Sequence, residues 1–205
     1  MAKQTVLSMK DRLKQIVNLS YEILCNKISC GGVQIPNEAS LQMQFGVILK
    51  QVGQLFEFEK NEHFLIDLET PQEVSLSPKS GSTHARCDIS LKMVKGKKEV
   101  CAAIEIKHFR KDKNETVTDN RFSVMLDLKN LELYKEQDKN LLCYEIVYTN
   151  NVNYTLPGRS KIELSGNISG NIIYTDNKQV DLSNSYNADW DCYEKENNYF
   201  LKIEF

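Results

Sequence analysis

The chain has 205 residues, 41% of them apolar and 26% charged, and a net charge of −2 at pH 7. That balance excludes a disordered or low-complexity chain and leaves room for one domain with a core of ordinary size. No apolar run reaches about 18 residues, so no membrane-spanning helix is expected. The opening MAKQTVLSMKDRLKQ is charged early and has no apolar segment of the signal-peptide kind. A cytoplasmic protein is the expectation.

Residues 4–29 read as a helix, because Val6, Met9, Leu13, Ile16, Val17, Tyr21, Leu24 and Ile28 recur at helical spacing. CGGVQIPN breaks it, and Asn37 can cap a second helix over roughly 38–57, with Leu41, Phe45, Ile48, Leu49 and Val52 inward. EHFLIDLE, 62–69, reads as a strand, followed by a polar loop carrying Pro71, Pro78 and Gly81. A second strand covers about 84–94. Ala85, Cys87, Ile89, Leu91 and Met93 take one face, and His84, Arg86, Asp88, Ser90 and Lys92 the other. KGKK is a turn. A third strand, about 99–107, puts Cys101, Ala103, Glu105 and Lys107 on one face and Val100, Ala102, Ile104 and Ile106 on the other.

A polar loop leads to a helix from Asp119 or Asn120 to Asp138. Its Arg121, Asp127, Glu132 and Tyr134 could reach the third strand from behind, but nothing in the sequence selects them over a solvated face. LLCYEIVYT, 141–149, reads as a buried strand. Beyond it the pattern weakens: ten of the 18 asparagines fall at or after Asn150. IELSGNISGNIIYT offers two short strands, 176–198 reads as loop, and NYFLKIEF as a last strand. The order is that of an α/β domain: a mixed sheet flanked by helices, with a less regular β-rich C-terminal extension over 151–205.

The six cysteines include no Cys-x-x-Cys pair, so a zinc site is not expected. Cys87, Cys101 and Cys143 fit buried free thiols. From Lys92 to Lys113 there are eight Lys or Arg and three Asp or Glu, a local excess of +5 on a chain that is otherwise −7. Such a segment suits contact with a polyanion, and equally a solvated turn.

Asp88 interrupts the first strand of this hairpin, and Glu105 and Lys107 stand at the end of the second. Glu105 and Lys107 share a face about 7 Å apart, and antiparallel pairing would bring Asp88 beside Glu105. Two converging carboxylates suit a hard cation such as Mg²⁺. A neighbouring lysine can lower a water's pKa or neutralise charge building on a phosphate.

Asp88, sixteen intervening residues, and then Glu105-Ile106-Lys107 resembles the signature of the PD-(D/E)XK nuclease superfamily, which has the restriction-endonuclease-like fold. The resemblance covers roughly 37–150, and Cys87 stands where that family's eponymous proline would be. It implies a three-layer core and a DNA endonuclease, of the restriction or anti-phage defence kind, dependent on Mg²⁺ with Mn²⁺ as substitute. Catalysis would rest on Asp88, Glu105 and Lys107. Metal ligands would be Asp88, Glu105, the Ile106 carbonyl and an acid of the preceding helix; Glu38 is favoured, with Gln42 left open. Arg86, His108, Arg110, Lys111 and Lys113 are candidate DNA contacts. A homodimer, or a partner subunit in a defence system, is the assembly implied. The competing readings are an inactive module of the same fold that binds nucleic acid or a partner, and an enzyme acting on RNA or another phosphate ester. No Gly-rich phosphate loop supports a nucleoside triphosphatase.

Overall fold

The computed structural model describes residues 7–74, 83–110, 116–158 and 160–205. Two helices come first, α1 (Met9–Ser29) and α2 (Glu38–Leu55). Each starts on a side-chain cap: Ser8 accepts from the Asp11 N–H at 3.1 Å, and Asn37 from the Ser40 N–H at 2.8 Å. Strands β1 (Glu62–Glu73), β2 (His84–Lys95) and β3 (Lys98–Phe109) follow. Helix α3 (Val117–Gln137) then crosses to β4 (Leu142–Thr149). The remainder is β5 (Gly166–Thr175), β6 (Lys178–Ala188), β7 (Trp190–Tyr193) and β8 (Asn198–Glu204).

Six strands form one mixed sheet in the order β1-β2-β3-β4-β8-β7, and β5 pairs with β6 in a second sheet. The β2–β3 hairpin turns on Gly96, whose φ of +59° is cheap only for glycine. β3 and β4 are parallel, the one parallel pair among the described strands, because α3 carries the chain back across the face. Every residue of β4 is buried, as expected of a strand covered on both faces.

Helices α1 and α2 cover one face of the sheet. Leu13, Ile16, Leu41, Phe45 and Leu49 pack there against Ile89, Leu91, Ile104, Ile106, Tyr144 and Ile146. Helix α3 covers the other face and is itself covered by the β5–β6 hairpin, through Phe122, Val124, Met125 and Leu128 against Ile168, Val180, Leu182 and Tyr186. This double cover explains a correction. Arg121, Asp127, Glu132 and Tyr134 do not lie on a solvated face: all four are at most 3% exposed. Arg121 donates to the Tyr154, Leu156 and Ile162 carbonyls. Glu132 reaches outward to the hairpin, where the pairing register shifts between Ser169 and Gly170 and leaves Ser183 and Asn184 of β6 without strand partners. Its carboxylate accepts from both of their N–H groups, at 3.0 and 2.9 Å.

Other differences concern the C-terminal third and β1. The stretch 176–198 is not loop but holds β6 and β7, and a single strand, β5, replaces the two expected over 162–175. β8 pairs with β4, so the end of the chain is built into the central sheet. β1 runs on through Pro71, tolerated because β1 is an edge strand. Cys25, Cys87 and Cys143 are buried free thiols, whereas Cys101 is only half-buried. No helix among the described residues is long and apolar enough to cross a membrane.

Candidate active site

The β2–β3 ladder ends at Ile89 opposite Ile104. Beyond that pair the strands part, and side chains fill the opening. The Asp88 carboxylate accepts from the Ile106 N–H at 2.7 Å, taking the place of a main-chain partner. The Cys87 thiol donates to the Ile89 carbonyl at 3.2 Å. The strand also turns over here: Ala85 and Cys87 pack toward α3, while Ile89, Leu91 and Met93 pack toward α1 and α2. The expected single apolar face of β2 is therefore split at Asp88.

On β1, Glu69 stands in register with Asp88, between the pairs Leu68–Ile89 and Thr70–Cys87. Its φ is +53°, a left-handed conformation costing a non-glycine residue about 1–2 kcal/mol. Gln42 of α2 ties the two together, donating to the Asp88 carbonyl at 2.7 Å and to the Glu69 carboxylate at 3.1 Å. Of the two α2 residues left open by the sequence, Gln42 is thus the one that touches Asp88. Glu38 lies further along, accepting from the His108 N–H at 3.2 Å.

Glu105 and Lys107 do share a face, but it is the one beneath α3. Glu105 is fully buried and accepts from the Tyr134 hydroxyl at 3.2 Å. Lys107 is 7% exposed. Its ammonium lies 2.7 Å from Asp127 and 3.9 Å from Glu38, and donates to the Ile106 carbonyl at 3.0 Å. Glu145 of β4 is fully buried in register beside Glu105. Burial alone would lower the Lys107 ammonium; Asp127, Glu38, Glu145 and Asp88 outweigh it and hold Lys107 well above the ordinary lysine value. Burial, helped by Glu105, likewise pushes the Tyr134 phenol up.

An open hollow of about 530 Å³ lies beside this cluster. Glu38, Lys107, His108 and Arg110 line it; Asp88 and Glu105 do not. The His108 ring stacks on Tyr148, centroids 5.0 Å apart. Arg110 donates to the Pro36 carbonyl at 2.5 Å. Arg86 is exposed on β2, away from the hollow. Lys111 and Lys113 lie outside the described residues.

No family model, curated protein or solved structure matches the chain.

Asp88 and Glu105 offer carboxylate oxygens, which suit a hard cation, with the Cys87 thiol close to both. Among the described residues no group of three or more His, Cys, Asp or Glu side chains is spaced to hold a metal ion. The Ile106 carbonyl is engaged by Lys107. That leaves a pair of carboxylates, Asp88 and Glu105, and a pair is what an ion such as Mg²⁺, which keeps much of its water, can use. It does not fit an ion that needs a full protein cage.

Asp127, Tyr134, Glu145, Gln42 and Glu69 complete the neighbourhood. Glu145 carries a sequence signal, a charge inside the buried run LLCYEIVYT. The left-handed turn of Glu69 carries none, because the sequence there reads as an ordinary strand.

Proposed function

We propose that the protein is a Mg²⁺-dependent DNA endonuclease of the PD-(D/E)XK kind. The observation that carries this reading is Lys107. It is a buried ammonium held charged by surrounding carboxylates, and it also lines a hollow with His108 and Arg110. A cation kept in a dry site is seldom retained for stability alone, and it strongly stabilises charge developing on a phosphoryl oxygen. Asp127, Glu38, Glu145 and Asp88 favour the charged form of Lys107, which supports a role in stabilising charge on the phosphate. Asp88 and Glu105 would hold the metal, which supplies Lewis-acid polarisation of the phosphate and a nucleophilic water. Arg110 and His108 would meet neighbouring phosphates. The mixed sheet with its α3 crossover supports the restriction-endonuclease-like fold. By analogy with that fold the setting is cytoplasmic restriction or anti-phage defence, with a homodimer or a partner subunit as the assembly.

A second reading is favoured by the same lysine. Its bonds to Asp127 and Ile106, and the burial of Glu105 under Tyr134, are what an inert buried network would show. On that reading the chain is an inactive module of the same fold that binds nucleic acid or a partner.

Supercoiled plasmid incubated with the protein and Mg²⁺, Mn²⁺ or EDTA separates the two. Metal-dependent nicking lost in Asp88→Ala and Lys107→Ala supports the nuclease, provided both variants keep the circular dichroism of the parent. No cleavage of plasmid, single-stranded DNA or RNA by the folded parent overturns it in favour of the module.

A further inference from the structure

The hollow at Lys107 has a neighbour beside the first turns of α3. A second hollow of about 380 Å³ lies between α3 and the tip of the β5–β6 hairpin, lined by Phe122, Tyr174, Asn177, Lys178 and Gln179. Both hollows are bounded by Asp119 and Ser123. These two residues are four apart on one helix, so the two hollows border the same helical turn, roughly 6 Å long. Each volume falls within the range of about 300–1,000 Å³ that accommodates a small ligand unit.

The walls of the second hollow differ from those of the first. Tyr174 is half-buried and stacks on the buried Phe122 ring, centroids 5.1 Å apart and nearly parallel at 23°. Its hydroxyl donates to Asp119, which fixes the hairpin tip to the start of α3. Lys178 lies 5.8 Å from the Tyr174 ring centre and is exposed. Two carboxylates border the way and are held in place by neutral donors: Asp119 accepts from Thr116 and Tyr174, and Glu38 from the His108 N–H. A backed aromatic ring with an exposed cation beside it is an arrangement suited to an unstacked base and its phosphate. A duplex would present its bases already stacked.

We propose that the two hollows form one groove for a single-stranded stretch of nucleic acid, in which a base stacks on Tyr174 and a phosphate meets Lys178. The proposal rests on the nuclease reading for the position of the reactive phosphate at Lys107, and it assigns the β5–β6 hairpin to holding the strand beyond it.

Fluorescence anisotropy in EDTA tests the groove without cleavage, using a labelled oligothymidylate and a duplex of equal length over a range of salt. The parent is expected to bind the single strand more tightly than the duplex. Tyr174→Ala should weaken single-strand binding about tenfold or more, and Tyr174→Phe, which keeps the ring and loses only the bond to Asp119, should retain most of the parent's binding. Lys178→Ala is exposed and carries no folding risk; it should reduce the slope of log K against log salt by about 0.7. Lys195→Ala, an exposed lysine between β7 and β8, should leave that slope unchanged. Equal binding by parent, Tyr174→Ala and Lys178→Ala overturns the groove, as does a preference for duplex, whatever the plasmid assay shows. Groove-dependent binding with no cleavage overturns the nuclease and leaves the groove standing.

Discussion

The Lys107 ammonium lies 2.7 Å from the Asp127 carboxylate, with both side chains at most 8% exposed. Removing one partner leaves an uncompensated charge in a dry interior, at a cost of about 3–5 kcal/mol. Asp127→Ala should lower stability toward the smaller end of that range, since Glu38 remains 3.9 Å from Lys107. The double variant Lys107→Met/Asp127→Leu removes both charges and should recover most of the loss. Urea unfolding midpoints measure this. A double variant as unstable as the sum of the singles would show that the two charges are not coupled.

Glu132 should control the hairpin and not the sheet. Burial would raise its carboxyl, but the Ser183 and Asn184 N–H groups, Lys129 and Tyr186 outweigh burial and hold it below the usual carboxylate value. Glu132→Ala strips the β6 bulge of its acceptor, and each lost charged hydrogen bond costs about 1.5–3 kcal/mol. Amide hydrogen exchange should show lost protection across β5 and β6, while β3 and β4 keep theirs. Uniform loss across the molecule would mean that the hairpin and the sheet unfold as one unit.

A third pair sets acid stability. Arg12 and Glu62 meet in a two-pronged buried salt bridge, both contacts at 2.7 Å. The Arg12 guanidinium, aided by the Phe58 and Glu59 N–H groups, holds the Glu62 carboxyl down at about 2, against an ordinary value of 4.5. A depressed folded-state value contributes stability that is complete above the unfolded value and lost as pH falls through the folded one. Unfolding midpoints should therefore decline between about pH 4.5 and pH 2. In Glu62→Gln that part of the decline should disappear, and the variant should be less stable at neutral pH by about 3–5 kcal/mol, because Arg12 is left buried and unpaired. An unchanged acid slope in Glu62→Gln would assign the decline to other carboxylates.

These pairs show what the sequence could and could not convey. Period-3.6 and period-2 patterns placed α1, α2, α3 and β1–β4 within a few residues, because each buries one apolar face or lies wholly in the core. The face shared by Glu105 and Lys107 was also readable, since alternation fixes it. What covers that face was not readable. A helix buried on two sides carries polar residues that look solvated: Asp127 turns to Lys107 on the sheet and Glu132 to the hairpin. The hairpin was hidden for a related reason. β6 has few apolar residues and a bulge satisfied by a distant carboxylate, so its local signal is that of a loop. The break in β2 at Asp88 likewise depends on neighbours, Gln42 and Glu69, that lie far away in sequence.

The packing of α2 on β1 gives a test whose sign differs between two glycines of one helix. Gly46 and Gly53 both face β1 and both weaken the helix relative to alanine by about 1 kcal/mol. A Cβ at Gly46 would meet Ile66 and Leu68 methyl carbons at 3.8 Å, ordinary contact distance. A Cβ at Gly53 would lie well within contact distance of the Phe64 ring carbons, a hard clash with a side chain that is almost fully buried. Gly46→Ala should therefore stabilise by about 0.5–1 kcal/mol. Gly53→Ala should destabilise by about 1–3 kcal/mol despite the same propensity gain, through overpacking. Adding Phe64→Leu to Gly53→Ala frees space at the ring position and should recover part of the loss. Thermal melts of the three variants decide it; if Gly53→Ala melts above the parent, α2 does not approach β1 as closely as described.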